Sequence, residues 1–205
     1  HAAVATPFVI EQPMRIREGA RRRADGFGVD PHAFDDDIEK VDQALSWLDH
    51  TASELSQPWT LTINVVNPHA PQWNTAPFWD MYEGTDLKPS EYGIEQATAC
   101  HPYAQDLRDH FETGQFTEAQ FRGLIRGYYG NVSFVDQQLG RLIDYLESSG
   151  LGATTNLIYI SDHGEMLGKF GMWWKSALYE DSVRVPCLVM GPDYPAGAVV
   201  DTPVD

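Results

Sequence analysis

The sequence predicts an α/β protein, a mostly parallel sheet flanked by helices. Two observations carry this expectation. Apolar stripes at helical spacing alternate with short β-branched runs, in the order helix, strand, long excursion, helix, strand, loop, strand. Two of those strands run straight into histidine-bearing loops, and open α/β sheets place their ligands beyond the carboxyl ends of strands.

Composition bounds the reading. The chain has 205 residues, 42% hydrophobic and 12% aromatic, enough for a sizeable core and too apolar for a disordered chain. No run approaches the ~18 apolar residues of a membrane helix. With 30 acidic against 14 basic residues the formal charge is −16, which argues against nucleic acid and anionic membranes as partners. An anionic substrate must therefore meet a local positive site, such as a metal or one aimed lysine. Cys100 and Cys187 make no CxxC and no disulfide framework. The chain opens on His1 with no signal segment, which reads as a cut end and leaves localisation open.

Residues 1–34 read as an irregular connector in which Arg15, Arg17, Arg21, Arg22 and Arg23 form a solvated cluster. Residues 35–55 read as a helix. Asp35, Asp36 and Asp37 suit its positive end, Ile38, Val41, Leu45 and Leu48 supply the stripe, and Pro58 blocks continuation. Residues 59–66 switch period: Trp59, Leu61, Ile63 and Val65 alternate with Thr60, Thr62 and Asn64, which predicts a strand. Pro68 and Pro71 then enforce a loop around His69. Residues 72–116 show little periodicity and read as a long irregular excursion.

Residues 117–149 form the clearest helix, opened by a Thr117/Gln120 capping box and stopped at Gly150. Gly123, Gly127, Gly130 and Gly140 weaken it by propensity, so close packing against a sheet is expected. The Asn131-Val132-Ser133 sequon lies inside this helix and is poorly placed for glycosylation. Residues 155–161 read as a buried strand, 176–183 as a short helical turn, and 185–190 as another strand.

Chemistry concentrates at the strand ends. Asp162 and His163 are a carboxylate and an imidazole that can reach one divalent cation, and Gly164 lets the backbone turn beside them. The alternative is a capping aspartate and a satisfied histidine. Lys175 follows Trp173 and Trp174 in a glycine-bearing loop, where it can neutralise a substrate oxyanion or snorkel over an apolar surface. His69 suits an acid, a ligand or an anion contact, against a loop histidine bonded to a carbonyl. His101 and His110 read as structural. There is no GxSxG, P-loop, GxGxxG or HExxH.

These residues, taken in order, resemble a known family. Tyr128 to Asp136, Leu139 to Leu142, Ser161 to Gly168, Trp174-Lys175 and Arg184-Val185-Pro186, with the Pro68-His69-Ala70-Pro71 loop upstream, resemble the type I sulfatases of the alkaline phosphatase superfamily. The similarity is nearest to the choline-sulfatase and phosphonate monoester hydrolase side. It runs from about residue 58 to the end and is thin over 1–34. The resemblance implies an alkaline phosphatase-like α/β fold, present here in incomplete form, and a metal-dependent hydrolase of sulfuric esters. Asp162 and His163 would be metal ligands, with Ca²⁺ usual in sulfatases and Mn²⁺ an option in phosphonate hydrolases. Lys175 and His69 would be catalytic, holding the sulfate oxygens and serving the leaving oxygen.

The family's nucleophile is a formylglycine made in a Cys/Ser-x-Pro-x-Arg motif, which this sequence lacks. Residues 35–205 are therefore expected to be the central part of a catalytic domain, with N- and C-terminal parts elsewhere, and the chain alone is expected to be inactive. The implied partner is a small-molecule sulfate ester, with oligomeric state left open. A phosphonate or phosphate ester hydrolase and a non-catalytic fragment remain as alternatives.

Overall fold

The computed structural model describes residues 15–87 and 101–202. Cys100 and residues 1–14 of the expected connector lie outside them.

The 15–34 stretch is more regular than a connector. A 3-10 turn spans Ala20–Asp25, with Ala20 and Ala24 buried, and strand β1 follows at Phe27–Val29. Helix α1 (Asp35–His50) forms as its stripe requires, with Val41, Ala44 and Leu48 buried along one face. It passes into a 3-10 turn at Ala52–Glu54.

Residues 59–66 are not a strand. Their side chains do alternate, with Leu61, Ile63 and Val65 half-buried and Thr60, Thr62 and Asn64 exposed, but no described segment pairs with their backbone. The period-2 pattern reports two unlike environments on either side of an extended chain. A ladder also needs a neighbour about 4.8 Å away. Across from this segment lies an open groove instead.

The 72–116 excursion contains regular structure. Strand β2 (Gln72–Asn74) pairs in parallel with β1, placing Phe27 opposite Gln72 and Val29 opposite Asn74. Helix α2 (Ala76–Asp80) follows, and helix α3 spans Pro102–Phe111. Three-residue strands carry no readable period. Pro102 stands at the first position of α3, where a missing N–H costs nothing. His101 caps α3 by accepting from the Tyr103 amide, and His110 Nδ1 bonds the Arg15 carbonyl, so both are structural as expected.

Helix α4 (Glu118–Ser149) is the spine of the molecule. Its capping box is complete: the Gln120 amide donates to Thr117 Oγ1 at 3.2 Å and the Thr117 amide to Gln120 Oε1 at 2.9 Å. Gly150 ends it at φ 80°. Asn131 is fully buried and its side-chain amide meets that of Gln72 at 2.8 Å, so the acceptor side chain of the sequon is sealed in the interior. Gly123, Gly127 and Gly130 lie on one face and rest on β1 and β2. This is the close helix–sheet packing expected of them.

Beyond α4, strand β3 (Leu157–Ile160), helix α5 (Glu180–Val183) and strand β4 (Cys187–Met190) follow. Strands β3 and β4 pair antiparallel, Leu157 opposite Met190. The architecture is α/β, and among the described residues one pairing is parallel and one antiparallel. β3 is not a buried strand: Ile158 and Ile160 are exposed and Leu157 and Tyr159 half-buried.

Two apolar clusters hold the elements. Phe34 stacks on Phe134 with centroids 3.8 Å apart, joined by Val135. The larger cluster joins Leu107 and Phe111 of α3 to Leu124 and Ile125 of α4 and to Met166, Met172, Trp173 and Trp174. It packs the long loop between β3 and α5 onto the helices. Trp173 and Trp174 are core side chains, at 5% and 7% exposure.

Candidate active site

Three separate segments converge at one end of the groove. The first is the turn after residues 59–66. The His69 amide donates to the Val66 carbonyl at 3.0 Å, and Pro68 and Pro71 both follow cis peptide bonds. The second is the end of β3, carrying Asp162 and His163. The third is the loop ending in Lys175.

Lys175 Nζ lies 2.9 Å from His69 Nε2 and 2.7 Å from His163 Nε2. Lysine only donates, so both Nε2 atoms must carry lone pairs. Each Nδ1 faces a carbonyl, Ala70 O at 2.7 Å for His69 and Gly164 O at 2.8 Å for His163, so each Nδ1 carries the proton. The geometry thus assigns the same neutral tautomer to both rings, which stand 5.7 Å apart and edge to face. Asp162 Oδ1 lies 3.8 Å from His163 Nε2, and its side chain is 87% exposed. All four residues singled out from sequence therefore border one space. The groove containing them has a volume of about 1720 Å³ and is also lined by Asn64, Asn67 and Tyr128.

The loop that presents Lys175 is tightly specified. Leu167, Phe170 and Trp174 sit at φ 43°, 55° and 66°, conformations that non-glycine residues hold only when their surroundings enforce them. Glu165 supplies part of that enforcement. Its Oε1 accepts from the Leu167 amide at 3.1 Å and the Trp174 amide at 2.5 Å. Burial pushes the Glu165 carboxyl above its ordinary range, opposed by those amides and by His163 and Lys175. Thr113 and Arg108 tie down the Gly171 and Phe170 carbonyls, and Lys169 Nζ holds Asp181 at 2.5 Å. At Gly164 the chain passes so close to Asp181 that a Cβ would stand 2.1 Å from its carbonyl oxygen. That contact explains the glycine directly after His163.

Tyr128 borders the groove from α4. Burial, followed by the charge of Glu165, pushes its phenol up to about 12, so it stays protonated as a donor.

The His69 turn has an anchor that sequence reasoning missed. Asp37 is 2% exposed, and its carboxylate accepts from the Val66 amide at 2.9 Å and from the Asn67 amide and Asn67 Nδ2, both at 2.9 Å. The run Asp35-Asp36-Asp37 reads as a solvated helix start, and nothing local marks its third member as turned inward. Burial alone would raise the Asp37 carboxyl, but hydrogen bonds from Asn67, Val66 and Lys40 outweigh it and hold it below the usual range. A depressed carboxyl contributes stability above its unfolded value near 3.8 and loses it as pH falls through the folded value. The urea midpoint is expected to drop as pH is lowered from 5 toward 2, and this component is expected to vanish in Asp37→Asn. An equal acid response in wild type and variant would remove Asp37 from the account.

Among the described residues no group of three or more His, Cys, Asp or Glu side chains is placed to hold a metal ion. Asp162 and His163 are two donors, and their chemistry suits a divalent cation: an exposed carboxylate oxygen beside an imidazole whose Nε2 lone pair is defined by its tautomer. A complete shell needs further ligands. No described helix is long and apolar enough to cross a membrane.

Known proteins resemble this chain in sequence and in fold. The sulfatase family profile matches residues 11–205. A choline-sulfatase of Rhizobium meliloti (strain 1021) is 34% identical over 146 residues, covering 70% of this chain and 28% of the relative. A sulfatase of Formosa agariphila is 29% identical over 168 residues, covering 80% and 33%. Among solved structures, the phosphonate monoester hydrolase from Silicibacter pomeroyi superposes with a TM-score of 0.67 at 27% identity, covering 78% of this chain and 33% of that one. The chain spans about a third of the length of the relatives it matches.

Proposed function

The chain belongs to the sulfatase family, in the alkaline phosphatase superfamily, and on that premise we propose that it supplies His69, Asp162, His163 and Lys175 to the active site of a sulfuric ester hydrolase. The observation that carries the proposal is Lys175 Nζ held between two imidazole Nε2 atoms from distant segments, beside an exposed carboxylate.

A sulfate ester brings anionic oxygens, and the transition state adds charge to the leaving oxygen. In a chain of charge −16 an anion needs a local cation. Lys175 provides one in a fixed place, because Glu165 holds the loop around it. Asp162 and His163 would hold a divalent cation, Ca²⁺ or Mn²⁺, which would supply further positive charge to the ester oxygens. His163 has one Nε2 lone pair to share between Lys175 and an ion. Lys175 has three N–H groups, of which the two imidazoles take two, so its ammonium can also donate to ester oxygens. His69 keeps its proton on Nδ1 and offers Nε2, which could take the proton that the attacking hydroxyl loses and pass it to the leaving oxygen. These 205 residues contain no Cys-x-Pro-x-Arg or Ser-x-Pro-x-Arg, so the proposal assigns no formylglycine and no nucleophile among them.

The similarity to a phosphonate monoester hydrolase favours a second reading, in which the same residues serve phosphonate or phosphate esters. Matched aryl sulfate and aryl phosphonate esters offered to the active protein separate the two. Higher kcat/KM on the sulfate is expected, and a strong phosphonate preference would replace the first reading with the second.

A further inference from the structure

We infer that Asp37 is a positioning residue for His69, acting through the backbone of Val66 and Asn67; the inference deepens the reading of His69 as a substrate-facing group and rests on it.

Helix α1 contributes no side chain to the convergence around Lys175. Among the described residues, the Asp37 carboxylate is its hydrogen-bonded link to the turn that carries His69. Three donors from two consecutive residues meet this carboxylate: the Val66 amide, the Asn67 amide and Asn67 Nδ2. Lys40 Nζ adds a fourth at 3.2 Å from the same helix. The bonds cross 29 and 30 positions of sequence, so they are tertiary and do not cap α1. They grip the chain where it leaves the extended 59–66 segment. Two residues later comes His69, whose own amide returns to the Val66 carbonyl. The anchor and the turn therefore share Val66, and the direction in which His69 leaves is set by the carboxylate beneath it.

Only an ionised carboxylate fits this position. Every neighbour is a donor, and an acceptor-only group satisfies them all. In Asp37→Asn the amide nitrogen would face an N–H group, and part of the grip is lost. The packing of α1 through Val41, Ala44 and Leu48 is untouched.

The test reads the histidine rings of the 205-residue chain itself and needs no turnover. Ring-nitrogen NMR of ¹⁵N-histidine protein distinguishes a protonated Nδ1 from a lone-pair Nε2 at each ring. In wild type, His69 and His163 are both expected to show widely separated nitrogen shifts. In Asp37→Asn the His69 separation is expected to collapse toward the tautomer average while His163 keeps its own. Asp37→Glu, which retains the carboxylate, is expected to restore part of the His69 separation. Asn67→Ala removes one donor without touching α1, gives an intermediate shift, and decides the matter should Asp37→Asn fail to fold. Unchanged His69 shifts in the folded variants overturn the inference. Equal disturbance of His69 and His163 overturns it too, since it would mark Asp37 as general scaffolding. A protein that prefers phosphonates, or hydrolyses neither ester, refutes the functional reading and leaves these spectra unaffected.

Discussion

Replacing Lys175 by alanine is expected to lower turnover of the active protein at least tenfold while leaving the fold in place. Tenfold corresponds to about 1.4 kcal/mol of transition-state stabilisation. Losing a single preorganised oxyanion donor elsewhere costs about 2.7–4 kcal/mol, so tenfold is a lower bound. The physical ground is local. The Lys175 side chain is exposed, and its partners are the two imidazole nitrogens rather than the core. The packing of its loop depends on Trp173, Trp174 and Glu165, none of which changes. Activity and melting temperature should therefore separate: kcat/KM falls and the melt stays within a few degrees. Unchanged kcat/KM removes the catalytic assignment, and a collapsed melt reassigns Lys175 to structure.

The contrast between Lys175 and Asp37 shows what was legible in the sequence. Lys175, Asp162 and His163 lie within a short stretch, and their order beside glycines and tryptophans is a local string. His69 stands between two prolines, also local. That His69 Nε2 meets Lys175 Nζ across 106 positions is a tertiary fact: the strand-end rule brought His69 toward Asp162 and His163, and only the family resemblance added Lys175. Asp37 obeyed a correct local rule, acid at a helix start, and that rule hid its second role. The same division holds for the fold. Helices α1 and α4 carry enough turns for their stripes to be read. β1 and β2 are three residues each and exist only because they meet each other and the face of α4. Residues 59–66 carry the right alternation for a strand, but alternation reports which side is wet and not which backbone lies alongside.

Gly130→Ala in α4 is expected to destabilise the protein, while Gly140→Ala in the same helix is expected to stabilise it. By propensity both substitutions should gain up to about 1 kcal/mol, since alanine loses less backbone entropy on entering a helix. Their surroundings separate them. A Cβ at Gly130 would stand 2.1 Å from Asn74 Oδ1 and 3.1 Å from the Phe78 carbonyl, whereas nothing lies within 4 Å of one at Gly140. Asn74 has no room to withdraw, being fully buried and bonded through Nδ2 to the Gly127 carbonyl at 3.0 Å. Overpacking costs about 1–3 kcal/mol, and a broken buried hydrogen bond adds about 1–3 more. At about 2–4 °C per kcal/mol for a chain of this size, the two melting temperatures should move apart by several degrees in opposite directions. Melting both variants beside wild type checks this, and a rise in both would show that α4 does not rest on β2. The effect should also reach the site. β2 begins at Gln72, immediately after the Pro71 that closes the His69 turn, so a helix forced off Asn74 pushes on the strand that seats that turn from its far end. His69 is thus held from both sides, by Asp37 before it and by the glycine face of α4 behind β2.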